Sequence, residues 1–166
     1  MKVKIKKVND NAKLPKQSKE GDFCYDVWAV SEEEVAPNVW RYGLGFKYEI
    51  ERPRLTSPFL GAFQPFYEKA TVIDEYNICV SFRPRSSVWK TGMVLSNSVG
   101  TLDEFFRGEA MAVFYHVMPN MERYHVGDRI GQIYLSIAPK VEFVEVDEIN
   151  ENTERGEGGF GSTGKN

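Results

Sequence analysis

Apolar and polar positions alternate along much of this chain with the two-residue period of a β-strand. Met1-Lys-Val-Lys-Ile-Lys-Lys-Val sets Val3 and Ile5 among basic neighbours and predicts a strand over Val3–Val8. Asn77–Phe82 places Ile78, Val80 and Phe82 on one face and Cys79 and Ser81 on the other. Ala110–Met118 and Arg129–Ile137 are mostly apolar, with β-branched and aromatic residues, and read as two further strands. Lys140–Val146 carries Val141 and Phe143, then Val144 and Val146, so its alternation shifts by one residue, as at a bulge. Turn signals separate these runs at Ala36-Pro37-Asn38, Val99-Gly100, Pro119-Asn120 and Val126-Gly127-Asp128. Helix is scarce: Glu32–Glu34 is too short to form one, and Tyr67–Ala70 makes at most a turn. Short strands broken by frequent turns predict an all-β sandwich or barrel.

The chain has 166 residues, 42% of them hydrophobic and 13% aromatic, which suits one domain with a real core. We expect that domain over residues 1–150, with 151–166 as a separate tail. Net charge is −3, so no global basic field points to nucleic acid. No apolar run has membrane-spanning length, and the N-terminus lacks a secretory pattern. Cys24 and Cys79 lie far apart without metal-ligand spacing and are expected as thiols in a reducing compartment, the cytoplasm. His116 and His125 have no ligand spacing with Cys or Glu, which argues against a protein-built zinc site. Residues 51–76 hold Pro53, Pro58 and Pro65 among Phe59, Phe63, Phe66 and Tyr67, too aromatic for a solvated linker. They read as an inserted arm covering the barrel or a subunit interface.

The last twelve residues, Arg155-Gly-Glu-Gly-Gly-Phe-Gly-Ser-Thr-Gly-Lys-Asn166, have no apolar period. Glycines let the backbone come close to a ligand, and successive N–H groups can cradle an anion. Arg155 adds a planar fork suited to phosphate, Ser162 and Thr163 add hydroxyls, and Phe160 offers a face to a base. The segment looks like a flexible lid over a nucleoside polyphosphate. Taken alone, it is equally a loose Gly-rich terminus.

Four other segments bear on that choice. They are Tyr25-Asp-Val-Trp-Ala29, Pro84-Arg-Ser-Ser87, Gly100-Thr-Leu-Asp-Glu-Phe-Phe-Arg-Gly108 and Gly127-Asp-Arg-Ile-Gly-Gln-Ile133. With the tail they resemble the five motifs of the trimeric dUTP pyrophosphatases (dUTPases), in that family's order. The resemblance implies a distorted jelly roll. It also implies hydrolysis of dUTP to dUMP and diphosphate, which limits uracil in DNA and supplies dUMP for dTMP synthesis, and a homotrimer with shared active sites. Compact members of the family are shorter between the equivalents of Gly43-Leu44 and Pro84, which marks 51–76 as the insertion.

Roles follow by resemblance. Asp103 is the general base that activates a water for attack on the α-phosphorus. Isolated, such an aspartate reads as one capping its own turn. Phe106 stands where the family usually has tyrosine and packs on the deoxyribose, leaving no room for a 2′-hydroxyl. Phe105 and Phe106 are adjacent, so in a strand they point oppositely and at most one faces the core. Asn97, Gly100, Thr101, Leu102, Asp103 and Met111 line the uracil pocket on a hairpin from Asn97 to Met111, whose backbone reads the pyrimidine edge. Met111 is otherwise a strand residue packing inward. Arg85, Ser86 and Ser87 hold phosphates, Ser87 replacing a more common glycine, and Gln132 contacts another phosphate. Asp26 either orients waters on a Mg²⁺ bound to the triphosphate or is a buried carboxylate paired with backbone or arginine. Arg155, Phe160, Gly161, Ser162 and Thr163 close over the nucleotide, Arg155 neutralising the γ-phosphate.

Two other readings remain at this stage. A dCTP deaminase shares the fold and the Pro-Arg-Ser-Ser stretch, but its proton-shuttling glutamate falls at Val113 here. A non-catalytic nucleotide sensor or protein-binding module would not need the chemical residues that all five motifs keep.

Overall fold

The computed structural model describes residues 1–52, 76–153 and 156. Ten strands account for its regular structure: β1 (Lys2–Lys7), β2 (Tyr25–Trp28), β3 (Ser31–Ala36), β4 (Val39–Gly43), β5 (Phe46–Glu51), β6 (Tyr76–Pro84), β7 (Met93–Leu95), β8 (Gly100–Asp103), β9 (Met111–His116) and β10 (Arg129–Pro139). A single 3₁₀ turn, Ser86–Lys90, joins β6 to β7. Two four-stranded antiparallel sheets, ordered β2-β10-β6-β8 and β3-β4-β9-β7, form the body, and β1 pairs with β5 beside them. The expected all-β fold is what the chain adopts.

Side chains from both sheets meet in one core. Tyr42, Leu44, Val27, Phe82, Phe114 and Ile130 are wholly buried. Phe114 sits edge-on to Tyr42, Phe82 and Tyr124, with ring centroids 5.9, 6.2 and 5.7 Å away, each such pair adding about 0.5–1.5 kcal/mol beyond area burial. The Tyr42 hydroxyl donates to the Tyr124 carbonyl at 2.8 Å, so the core satisfies this polar group. A second cluster, Tyr48, Ile50, Ile78 and Val80, joins the first through Ile5, Leu102 and Ile133.

β1, β6, β9 and β10 lie where alternation predicts them, within one or two residues. β3 does not follow from the pattern, because its three glutamates carry no apolar face. It forms because partners lie on both sides: Glu33 meets Arg41 of β4 at 2.5 Å, and Glu32 meets Arg123, from the segment between β9 and β10, at 3.0 Å. The turn at Pro37-Asn38 closes this hairpin with Asn38 at φ 60°, a left-handed conformation that asparagine tolerates. Lys140–Val146 is a correction: it is not a strand. Val141, Phe143, Val144 and Val146 are 65, 93, 67 and 58% exposed. Alternation states which side chains a strand would bury, but it does not supply the strand that must pair with it. Cys24 and Cys79 are both free thiols. No helix among the described residues is long and apolar enough to cross a membrane. The greater part of the 51–76 arm lies outside the described residues.

Candidate functional site

Three sequence-distant segments meet at one end of the β2-β10-β6 sheet. Asp26 on β2 pairs with Gln132 on β10, and Gln132 pairs with Arg83 on β6, one residue before Pro84 and Arg85. The chain leaves β6 at Arg85 in an extended conformation and turns at once into the 3₁₀ segment. A bulge between Arg129 and Gly131 re-aims Arg129 along β2. Gly131 is required there, since a Cβ would overlap the Phe82 ring. The result is an open cleft of about 340 Å³ lined by Asp26, Arg85, Ser86, Arg129 and Gln132, with Ser18 and Asp22 at its rim.

The cleft is polar, and its lining sets two arginines, Arg85 and Arg129, against two aspartates, Asp22 and Asp26. Arg129 Nη1 donates to Asp26 Oδ2 at 2.7 Å, and Arg85 Nε lies 4.0 Å from Oδ1. Asp26 is buried, so of its two readings the geometry is that of a carboxylate paired with arginine. Among the described residues no three His, Cys, Asp or Glu side chains cluster as a metal cage. A cation that keeps its waters and takes phosphate oxygens, as Mg²⁺ does, needs no such cage. Both serines stand in the 3₁₀ turn; the Ser86 hydroxyl has no hydrogen bond within the described residues and lines the cleft, whereas Ser87 does not line it.

The second group of predicted residues lies elsewhere. β8 is an edge strand that pairs with β6 through Gly100↔Phe82, Thr101↔Ser81, Leu102↔Val80 and Asp103↔Cys79. Its other edge carries backbone donors and acceptors that no described strand takes. Asn97 is in the turn before it, where Ser98 has φ 58°. The expected hairpin from Asn97 to Met111 is corrected: β8 and β9 do not pair with each other. β9 belongs to the opposite sheet, so residues 104–110 cross between sheets.

Asp103 presents an exposed carboxylate with no hydrogen-bond or ion-pair partner among the described residues, while its carbonyl accepts from Tyr48 Oη at 2.6 Å and from the Phe106 amide at 3.0 Å. That last bond bends the chain into a turn, so strand alternation stops at Asp103. Phe105 and Phe106 therefore do not split between core and surface: both are outside, at 77 and 40% exposure. The Phe106 ring lies against Gly108, where a Cβ would collide with it. Met111 is 42% exposed, and Ala112 and Phe114 fill the inward positions of β9, so Met111 does not pack inward.

The two groups are not brought together within one chain. Asp103 aligns with Cys79, five residues from Pro84, or about 17 Å along β6 at ordinary strand rise. The cleft is also displaced sideways, since it lies toward β2 and β8 is the opposite edge of the same sheet. Arg155, Phe160, Gly161, Ser162 and Thr163 lie outside the described residues. Sequence reasoning gave no role to Arg129, although it stands in the quoted Gly127–Ile133 segment. It also passed over Glu104 and Arg52, which form a bidentate pair with Arg52 Nε at 2.6 Å from Oε1 and Nη2 at 2.5 Å from Oε2.

A family model described as dUTPase matches residues 64–164. A deoxyuridine 5′-triphosphate nucleotidohydrolase of Helicobacter pylori (strain J99) is 32% identical, over 99% of this chain and 97% of its own length. A protein of the same name from Alkaliphilus metalliredigens is 30% identical over 98 and 96%. Among solved structures, the Staphylococcus bacteriophage 80alpha dUTPase with dUPNHPP superposes with a TM-score of 0.68 at 20% identity, covering 98% of both chains. A dUTPase variant from phage phi11 of S. aureus, described with a structural Mg(II) ion, gives 0.58 at 16% identity over 90 and 99%.

Proposed function

The chain belongs to the dUTPase family, and on that premise we propose how it hydrolyses dUTP to dUMP and diphosphate. One observation carries the reading: Asp26, Arg85-Ser86 and Arg129-Gln132, far apart in sequence, converge on one polar cleft. Arg85 provides a fixed charge for phosphate oxygens, Gln132 an amide donor, and Ser86 an unengaged hydroxyl for the scissile bridge. The carboxylate of Asp103 takes a proton from the water that attacks the α-phosphorus; the P–O bond to the β-phosphate breaks and diphosphate leaves. Phe106, half out in solvent beside β8, offers a ring face to the deoxyribose. The open edge of β8 gives the pyrimidine a backbone donor and acceptor; cytosine reverses that pattern and leaves buried groups mispaired. Met111 and Asn97 border this pocket. Mg²⁺ would neutralise phosphate oxygens, and the Asp26 carboxylate, beside its arginine partners, would be the residue to hold it through water. The tail closes the site with Arg155 on the γ-phosphate and Phe160 on the base.

Separation of Asp103 from Ser86 within one chain supports a site assembled from several chains. A base and a group at the scissile oxygen must both lie within hydrogen-bond reach of the same phosphorus. About 17 Å of strand lies between the two positions in one subunit, which favours groups drawn from different chains. We therefore assign a homotrimer in which one chain supplies the β8 pocket and another the cleft, with the tail from a third. The exposed, alternating Val141–Val146 segment is available for pairing with a neighbouring chain. Free thiols suit the cytoplasm.

Diphosphate release measured across dUTP, dTTP, dCTP and UTP, with Mg²⁺ and with a chelator, tests the reading. We expect turnover of dUTP alone, and a fall in rate with the chelator. Ammonia from dCTP would mark a deaminase, though Val113 on β9 offers no carboxylate for it. Tight nucleotide binding without product would mark a sensor.

A further inference from the structure

We propose that Glu104 and Tyr48 are positioning residues for Asp103, with Arg52 as the clamp that holds Glu104; this rests on Asp103 being the base. The peptide between Asp103 and Glu104 is fixed at both ends. Tyr48 Oη donates to the Asp103 carbonyl at 2.6 Å. The Glu104 side chain, 9% exposed, is gripped by the Arg52 fork at 2.6 and 2.5 Å. The same guanidinium donates to the Tyr76 carbonyl at 3.1 Å and lies 4.8 Å from the Tyr76 ring centroid. Arg107 Nη1 adds a bond to the Glu104 carbonyl at 2.9 Å. The end of β5, the start of β6 and the turn after β8 are thus tied at one point, beside the exposed Asp103 carboxylate.

Stability alone gives no reason for an acid here. Glu104 is buried while Arg52 keeps about a third of its surface in solvent, and a pair whose carboxylate loses its water returns little over apolar packing of the same volume. A bidentate fork does fix direction and distance. The Arg52 hydrogen bonds hold the Glu104 carboxyl below its ordinary range against the opposing effect of burial, so the pair stays ionised. Burial, with the Asp103 charge nearby, pushes the Tyr48 phenol up to about 12, so it remains a donor across the working range. The peptide is therefore held while the Asp103 side chain alone stays free to meet a water.

The test uses the full chain and the variants Glu104→Gln, Tyr48→Phe and Asp103→Asn, with each of the first two also combined with the third. A base displaced by about 1 Å loses about 10²-fold in rate. We expect a fall in kcat of that order for Glu104→Gln and of about tenfold for Tyr48→Phe, each with KM within about threefold of wild type. In the Asp103→Asn background neither change should lower the single-turnover rate further, since no base remains to be positioned. Tyr48→Phe keeps the ring packing and decides the matter if Glu104→Gln does not fold. Wild-type kcat in the folded variants, a rise in KM alone, or losses that add in full to that of Asp103→Asn would overturn the positioning role. Full turnover in Asp103→Asn itself would instead overturn the base, a separate outcome.

Discussion

Asp103→Asn should lower kcat for dUTP by about 10²–10⁴ and leave nucleotide binding near wild type. The amide is close to isosteric with the carboxylate but takes no proton from water. The surroundings of Asp103 make the substitution clean. Its carbonyl, not its side chain, carries the bonds to Tyr48 and Phe106, and its carboxylate has no partner among the described residues. No buried group is therefore left unpaired, and the fold should melt at an unchanged temperature. Single-turnover kinetics and equilibrium binding of a non-hydrolysable dUTP analogue separate the two effects. A variant with wild-type kcat would remove Asp103 from the chemistry.

Removal of residues 155–166 should have a comparable effect by a different route. Ordering a segment with five glycines costs about 1–2 kcal/mol per residue fixed. Only a ligand that pairs with Arg155, Ser162, Thr163 and Phe160 together offsets such a cost. Closure excludes bulk water and strengthens electrostatic stabilisation of the leaving diphosphate. An arginine supplied to a transferring phosphoryl group contributes about 10³ or more, so kcat/KM should fall by that order while circular dichroism and melting stay unchanged. Activity near wild type in the shortened chain would show that the site works without a lid.

Much of the strand framework was legible because alternation is a local signal. Val3 and Ile5, or Ile78, Val80 and Phe82, declare a buried face within six residues. What alternation could not declare was pairing. Glu32–Glu34 has no apolar face yet becomes β3, because Arg41 and Arg123 arrive from elsewhere. Val141–Val146 has the faces of a strand and no strand beside it among the described residues. At Phe105-Phe106 the two-residue rule fails because the Phe106 amide bonds back to Asp103 and ends the strand. The site divides in the same way. Arg85, Ser86 and Gln132 stand in contiguous motifs that the sequence displays, and they line one cleft; their meeting with Asp26 follows from the β2-β10-β6 register. Arg129 as the partner of Asp26, and the Arg52–Glu104 clamp, are contacts across 103 and 52 residues that no spacing announces. The proposed division of the site between cleft and β8 was likewise implied by family resemblance alone; strand register adds the separation of Asp103 from Pro84 along β6.

Subunit exchange tests that division most directly. Asp103→Asn and Arg85→Ala proteins, each inactive alone, are mixed in equal amounts, exchanged under mild denaturant and assayed for diphosphate release from dUTP. If one chain gives the base and another gives Arg85, random trimers hold both intact groups at about a quarter of their sites, and activity should recover to about that fraction. A mixture that exchanges subunits yet stays as inactive as its components would place Asp103 and Arg85 in a site built by a single chain, and would contradict the account.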